Sequence, residues 1–221
     1  MLSLHRLTSG VLLAAKSPLS LSRRLNAFLT PYVCIPNDAR EVGENLTVVP
    51  NFVSSEEENT LVDEIEKTLG RKKYEYDHWD NAIHGYRETE IASWRPCSEV
   101  IVQRVKKVSF AQSSKPLTHT HVLDLAEKGI IKPHIDSVKF CGPTIAGLSL
   151  LSTRVMRLES EQDATRDWIE VLLEQRSLYI LRGPLRYNYT HAILDSTSSF
   201  KNNFIPNQRR ISLIFREEPD K

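Results

Sequence analysis

From Pro116 onward the chain runs as a series of short apolar segments broken by turn residues, and that rhythm leaves few folds open. Residues 118–125 alternate and 130–136 follow. Residues 144–152 are apolar with small members (Ala146, Gly147, Ser149), the texture of a strand buried on both faces. Runs at 155–158, 168–173, 177–181, 185–191 and 210–216 complete the set, with Gln175-Arg176 as a turn and Gly183-Pro184 as a stop. Ahead of them the sequence predicts two helices. Ser54 with Glu57, or Ser55 with Glu58, makes a capping box; Leu61, Ile65 and Leu69 recur at helical spacing, and Gly70 ends the helix. A second helix is predicted over 98–109, with Val100, Ile101, Val105 and Val108 inward. The expectation is a mainly β protein with flanking helices: a double-stranded β-helix (jelly roll) core braced by N-terminal helices.

The 221 residues suffice for one domain with a sizeable core. A net charge of +1 argues against a sequence-independent nucleic-acid binder, which would carry a basic excess. Cys34, Cys97 and Cys141 form neither a disulfide framework nor a zinc cluster, which points to a reducing compartment. No apolar run approaches a membrane span. Residues 1–37 contain no acid; Arg6, Lys16, Arg23 and Arg24 lie among serines and leucines, and basic residues flank the apolar core 11–15 on both sides. That pattern reads as a mitochondrial transit peptide over 1–37, a folded domain over 38–221 and a matrix location.

Residues 71–96 join Arg71-Lys72-Lys73 to Tyr74, Tyr76, His78, Trp79, His84, Tyr86 and Trp94. Basic residues with interleaved aromatics can bind nucleic acid. Glu75, Asp77, Asp80, Glu88 and Glu90 break up the positive field, so the expectation is a structured loop whose aromatics cover the core.

His134-Ile135-Asp136 offers an imidazole and a carboxylate two residues apart. On an extended strand both point to one face. Two histidines and one carboxylate, with positions left open, suit catalytic non-haem Fe(II). The second histidine has to come from elsewhere: His119 and His121 form a rival pair, and His191 stands at the end of a strand-like run. Arg210-Ile211-Ser212-Leu213-Ile214-Phe215-Arg216 puts Ile211, Leu213 and Phe215 on one face and Arg210, Ser212, Ile214 and Arg216 on the other. An inward arginine is costly without an anion, and its planar fork suits a carboxylate. A keto diacid would bridge such a clamp and the metal.

Taken together, His134-x-Asp136, His191 and Arg210-x5-Arg216 resemble the AlkB branch of the Fe(II)/2-oxoglutarate-dependent dioxygenases, over roughly residues 48–216. The resemblance implies that His134, Asp136 and His191 ligate Fe(II). It implies that Arg210 and Tyr179 hold the distal carboxylate of 2-oxoglutarate, with Arg216 near cosubstrate or substrate, and that O2 completes the reactants. It further implies conversion of 2-oxoglutarate to succinate and CO2, coupled to hydrogen abstraction from a substrate. Residues 74–80 and 131–137 resemble a mitochondrial subgroup, which implies links to fatty-acid metabolism and regulated necrosis.

One departure bears on substrate. Nucleic-acid demethylases of the family carry an Asn-x-Tyr pattern where this chain has Leu123-Asp124-Leu125. A protein substrate and hydroxylation are the expectation. Demethylation of mitochondrial RNA, using the Arg71-Lys72-Lys73 patch, is the alternative. A non-catalytic interaction module with a residual metal site is the alternative of another class, and a zinc-bound isomerase is more distant.

Overall fold

The computed structural model describes residues 31–35, 42–76, 81–165, 167–195 and 199–219. Residues 1–30 of the expected transit peptide and the 37/38 boundary lie outside them, as do residues 77–80 of the aromatic stretch, whereas Val33–Cys34, inside the expected 1–37 segment, pair with residues 170–171 of the sheet.

In chain order the elements are β1 (Val33–Cys34), α1 (Val42–Asn45), β2 (Leu46–Val49), α2 (Ser55–Leu69), β3 (Ile83–Ile91), α3 (Pro96–Ser109), β4 (Thr120–His134), β5 (Thr144–Leu150), β6 (Arg154–Ser160), β7 (Trp168–Leu173), β8 (Leu178–Arg182), α4 (Gly183–Tyr187), β9 (Tyr189–Ile193), β10 (Ser199–Phe200), β11 (Asn203–Phe204) and β12 (Arg210–Arg216). Ten strands form one curled antiparallel sheet in the order β1-β7-β6-β9-β4-β12-β5-β8-β2, with β3 also on β4. This is the expected jelly roll with helices packed outside it.

The alternation in β12 decides where the two cores lie. Ile211, Leu213 and Phe215 pack with Leu61 and Ile65 of α2 and with Ile101 and Val105 of α3, outside the roll. Inside it, Leu123, Leu125, Met156, Leu158, Ile169, Tyr179 and Ile193 form the second core. Burying each large aliphatic side chain contributes about 1.5–3 kcal/mol, so both layers are substantial. Helix α2 starts as its sequence prescribes: Ser54 accepts from the Glu57 N–H while Glu57 accepts from the Ser54 N–H. Two buried glutamates anchor that helix, Glu58 accepting from the Leu151 N–H and Gln175, and Glu64 from the Arg95 N–H.

Four expectations need correction. The stretch expected as a loop contains β3, paired with β4 from Ile83↔Ile131 to Ile91↔Thr120. Charges mask this strand: Arg87 meets Asp124, and Glu88 meets His121, each across the ladder. Cross-strand polar pairs thus stand where apolar alternation would have shown. The runs at 118–125 and 130–136 are one strand, β4, whose pairing with β3 slips between His84 and Tyr86, around Gly85 at φ 66°. Gly129 faces Gly85 so closely there that a side chain would strike the Gly85 carbonyl. In α3, Ile101, Val102 and Val105 face inward, whereas Val100 and Val108 are exposed, because only the former share the face of Ser98 and Ser109. Finally, 185–191 is not one strand: Pro184 opens the short helix α4, and β9 begins at Tyr189.

Candidate active site

His134 ends β4 and His191 lies on β9, directly opposite it in the ladder. Their rings stand 4.2 Å apart between centroids. Asp136, two residues past His134, turns Oδ1 toward both: 3.7 Å to His134 Nε2 and 3.9 Å to His191 Nε2. One ligand atom from each of the three residues lies within 4.8 Å of the others, a spacing that a single ion can bridge. The rival His119 approaches Glu90 at 3.8 Å on the exposed side.

The sequence left open what fixes the outer nitrogen of His134. The Lys132 carbonyl lies 2.9 Å from Nδ1. A carbonyl only accepts, so Nδ1 carries the proton and Nε2 presents its lone pair to the cluster. Burial, then repulsion by His134, push the His191 imidazolium down to about 3, so the ring is a neutral donor at physiological pH. Burial alone would raise the Asp136 carboxyl. The adjacent His134 ring and the Arg216 charge override that and hold it well below the usual range. Neutral imidazoles and an ionised carboxylate are the forms that bind a divalent ion.

Arg210 and Ser212 line the same cavity from β12, with Tyr179, Met156, Leu123 and Ile193. Arg210 is 2% exposed. Its Nε donates to Ser149 Oγ at 2.8 Å on β5, while its Nη2 is buried and meets no acceptor among the described residues. Burial lowers this guanidinium to about 10, which leaves it charged at neutral pH. A buried cation with an unmet donor, facing a cavity that ends at the histidine–aspartate cluster, is the half-site a diacid would complete. Burial raises the Tyr179 phenol, which therefore keeps its proton and can donate to an anion. Ser149 is a contributor that sequence reading did not single out; its place opposite Ser212 in the ladder was the available signal.

Arg216 reaches the cluster from the other end of β12. Its Nε donates to Asp136 Oδ2 at 2.7 Å and its Nη1 to His121 Nδ1 at 3.2 Å. Oδ2 is thereby engaged and Oδ1 is left toward the histidines. The segment after Asp136 is held by Arg186 of α4, which donates to the carbonyls of Ser137, Cys141 and Gly142. Val138 and Phe140 on that segment are 61% and 64% exposed beside the site.

A jelly roll holding two histidines and one carboxylate beside a buried arginine defines a non-haem iron oxygenase that takes a keto acid. A family model described as the 2OG-Fe(II) oxygenase superfamily matches residues 71–216, and the chain belongs to that family, in its AlkB branch. It is 53% identical over 178 residues, 80% of each chain, to the mouse (Mus musculus) alpha-ketoglutarate-dependent dioxygenase alkB homolog 7, mitochondrial. It is 53% identical over 174 residues, 78% of each chain, to the protein of the same name from Bos taurus. The structure of OsALKBH1 superposes with a TM-score of 0.57, over 78% of this chain and 97% of that one, at 16% identity, a likeness of fold. The chain is therefore a dioxygenase that uses Fe(II), 2-oxoglutarate and O2. Among the described residues no helix is long and apolar enough to cross a membrane.

Proposed function

We propose that this dioxygenase works in the mitochondrial matrix and hydroxylates a protein rather than demethylating a nucleic acid. His134 Nε2, Asp136 Oδ1 and His191 Nε2 hold the iron. Arg210 and Tyr179 take the distal carboxylate of 2-oxoglutarate, and Arg216 holds Asp136 in place. When bound, iron, cosubstrate and O2 supply the oxidising power that removes hydrogen from a substrate C–H bond. The chain's own residues position that bond, exclude water with Leu123, Met156 and Ile193, and keep Asp136 ionised.

The observation that carries the protein reading is the wall beside Arg210. Leu125 pairs with Arg210 and Leu123 with Ser212, so two leucines stand where nucleic-acid demethylases of the family place an amide and a phenol. Asp124 between them faces away, toward Tyr74, Arg87 and Arg209. The exposed Val138 and Phe140 offer an apolar rim to a polypeptide segment. The links to fatty-acid metabolism and regulated necrosis rest on the subgroup resemblance alone, and removal of 1–37 on import rests on composition.

The test is trapping in mitochondrial extract with a 2-oxoglutarate analogue, scoring proteins and RNA together, followed by mass spectrometry of captured material after turnover. A peptide gaining one oxygen with the wild type and not with Asp136→Ala is the expected result. Loss of methyl groups from RNA, with no protein oxidised, would overturn it. Arg210→Met should raise the KM for 2-oxoglutarate by about a hundredfold, the effect of losing roughly two charge-assisted hydrogen bonds.

A further inference from the structure

Asp136 is the end of a chain of contacts that runs to the protein surface. Arg216 grips Oδ2, His121 Nδ1 lies 3.2 Å from Arg216 Nη1, and Glu88 Oε2 lies 2.8 Å from His121 Nε2. These groups come from β12, β4 and β3, which are adjacent strands of one sheet. We propose that His121 is a positioning residue for the iron site, acting through Arg216 on Asp136; this rests on the assignment of Asp136 as a ligand.

The chemistry of the contacts fixes what His121 must be. A guanidinium has donors and no acceptor, so Nδ1 facing Arg216 is the unprotonated nitrogen. The ring proton then sits on Nε2, where the Glu88 carboxylate accepts it. His121 is a neutral imidazole in a single tautomer, each nitrogen facing the charge that suits it. The ring also lines the cavity, beside Ile83, Leu123 and Ile214. The two directed contacts, to Arg216 and to Glu88, are what a histidine supplies here and an apolar side chain could not.

Asp136 has two oxygens and two suitors. Arg216 holds Oδ2 through Nε while Nη1 is occupied by His121. Without that acceptor, the whole planar guanidinium is free to turn and meet the same carboxylate end-on, through Nη1 and Nη2 together. Oδ1 would then be shared between Arg216 and the metal. His121 thus keeps the arginine a one-oxygen partner and reserves the other oxygen for the ion.

Substitutions at this position separate the role from simple packing. An asparagine places its amide oxygen near the position of Nδ1 and can still accept from Arg216. A glutamine carries its amide toward Glu88, and a leucine accepts nothing. Anaerobic titration with Co(II), read by its visible absorption in the presence of 2-oxoglutarate, reports metal binding without turnover. Apparent Co(II) affinity should fall about tenfold in His121→Leu and His121→Gln, the scale of outer-shell losses at metal sites, and stay within about threefold in His121→Asn. Equal affinity in all three variants and the wild type would overturn the proposal. Should His121→Leu fail to fold, the contrast between the Asn and Gln variants decides it. A wild type that binds no Co(II) would instead sink the iron site itself, and the proposal with it.

Discussion

Gly147 on β5 faces Tyr179 on β8 in the ladder, and the phenol ring fills the space that a Gly147 side chain would need. Glycine at this position is what lets the tyrosine lie across the strand and reach the cavity beside Arg210. Gly147→Ala should push the ring off its seat while leaving the ladder paired. Steady-state kinetics should then show a raised KM for 2-oxoglutarate, about tenfold for one charge-assisted hydrogen bond, with kcat changed less. An unchanged KM in a folded variant would remove Tyr179 from the cosubstrate's partners.

Occupation of the metal cluster couples to folding, because the unfolded chain offers no such arrangement of His134, Asp136 and His191. Saturating the protein with Mn(II) under anaerobic conditions should raise its unfolding free energy by about 2.7 kcal/mol at a hundred times the dissociation constant. A chelator should reverse the gain. In His134→Ala the melting temperature should not respond to the metal at all, and a normal response there would mean the ion binds elsewhere.

Asp124 is fully buried and accepts from Tyr74, Arg87 and Arg209. Both arginines also meet Glu66 of α2, so this carboxylate ties the helix to β3, β4 and β12. Asp124→Ala would leave both guanidiniums with Glu66 as their remaining carboxylate partner and should cost about 2–3 kcal/mol in a urea titration, below the usual cost for buried pairs because that partner remains and the arginines are partly solvated. Asp124→Asn, which still accepts, should cost roughly half as much by the hydrogen-bond scale. Kinetic constants per folded molecule should hold, since Asp124 faces away from the cavity.

The Glu57–Arg104 pair gives a pH signature away from the active site. Hydrogen bonding to Arg104 is the main reason the Glu57 carboxyl is lowered. A lowered folded-state pKa adds stability that is present above the unfolded value and drains as pH falls through the folded one. Both side chains are substantially solvated, so the contribution is about 1 kcal/mol or less. Arg104→Met should therefore be slightly less stable than wild type at pH 7, and the difference should close below about pH 4. A gap that persists in acid would mean that Arg104 acts through packing on Phe52 instead.

The parts of this molecule that could be read from its sequence are those in which one residue type repeats a simple geometric rule. In β12 the alternation of apolar and polar residues separated the helix-facing side from the cavity-facing side without ambiguity. His134 and Asp136 shared a face for the same reason. The rule failed where partners replaced periodicity. In β3, Arg87 and Glu88 are satisfied by Asp124 and His121, residues far away in sequence, so the strand looked like a charged loop. His121 was visible only as half of a rival pair with His119 for the metal, because its meaning lies in Arg216 and Glu88. Leu123 and Leu125 could be recognised as a departure, but their consequence waited on the register that sets them against Ser212 and Arg210.

That register has a further consequence. Arg210 and Arg216 sit on one strand, facing one side, with ladders on both flanks. Residues 211–214 between them are paired on both sides, so the separation of the two arginines is set by the sheet. On the proposed assignment such a span would gauge molecular length. With Arg210 as the proposed partner of the far carboxylate, oxaloacetate, one carbon shorter, and 2-oxoadipate, one carbon longer, should each support turnover less well than 2-oxoglutarate. Selection among keto diacids would then follow from the pitch of a β-strand rather than from any single contact.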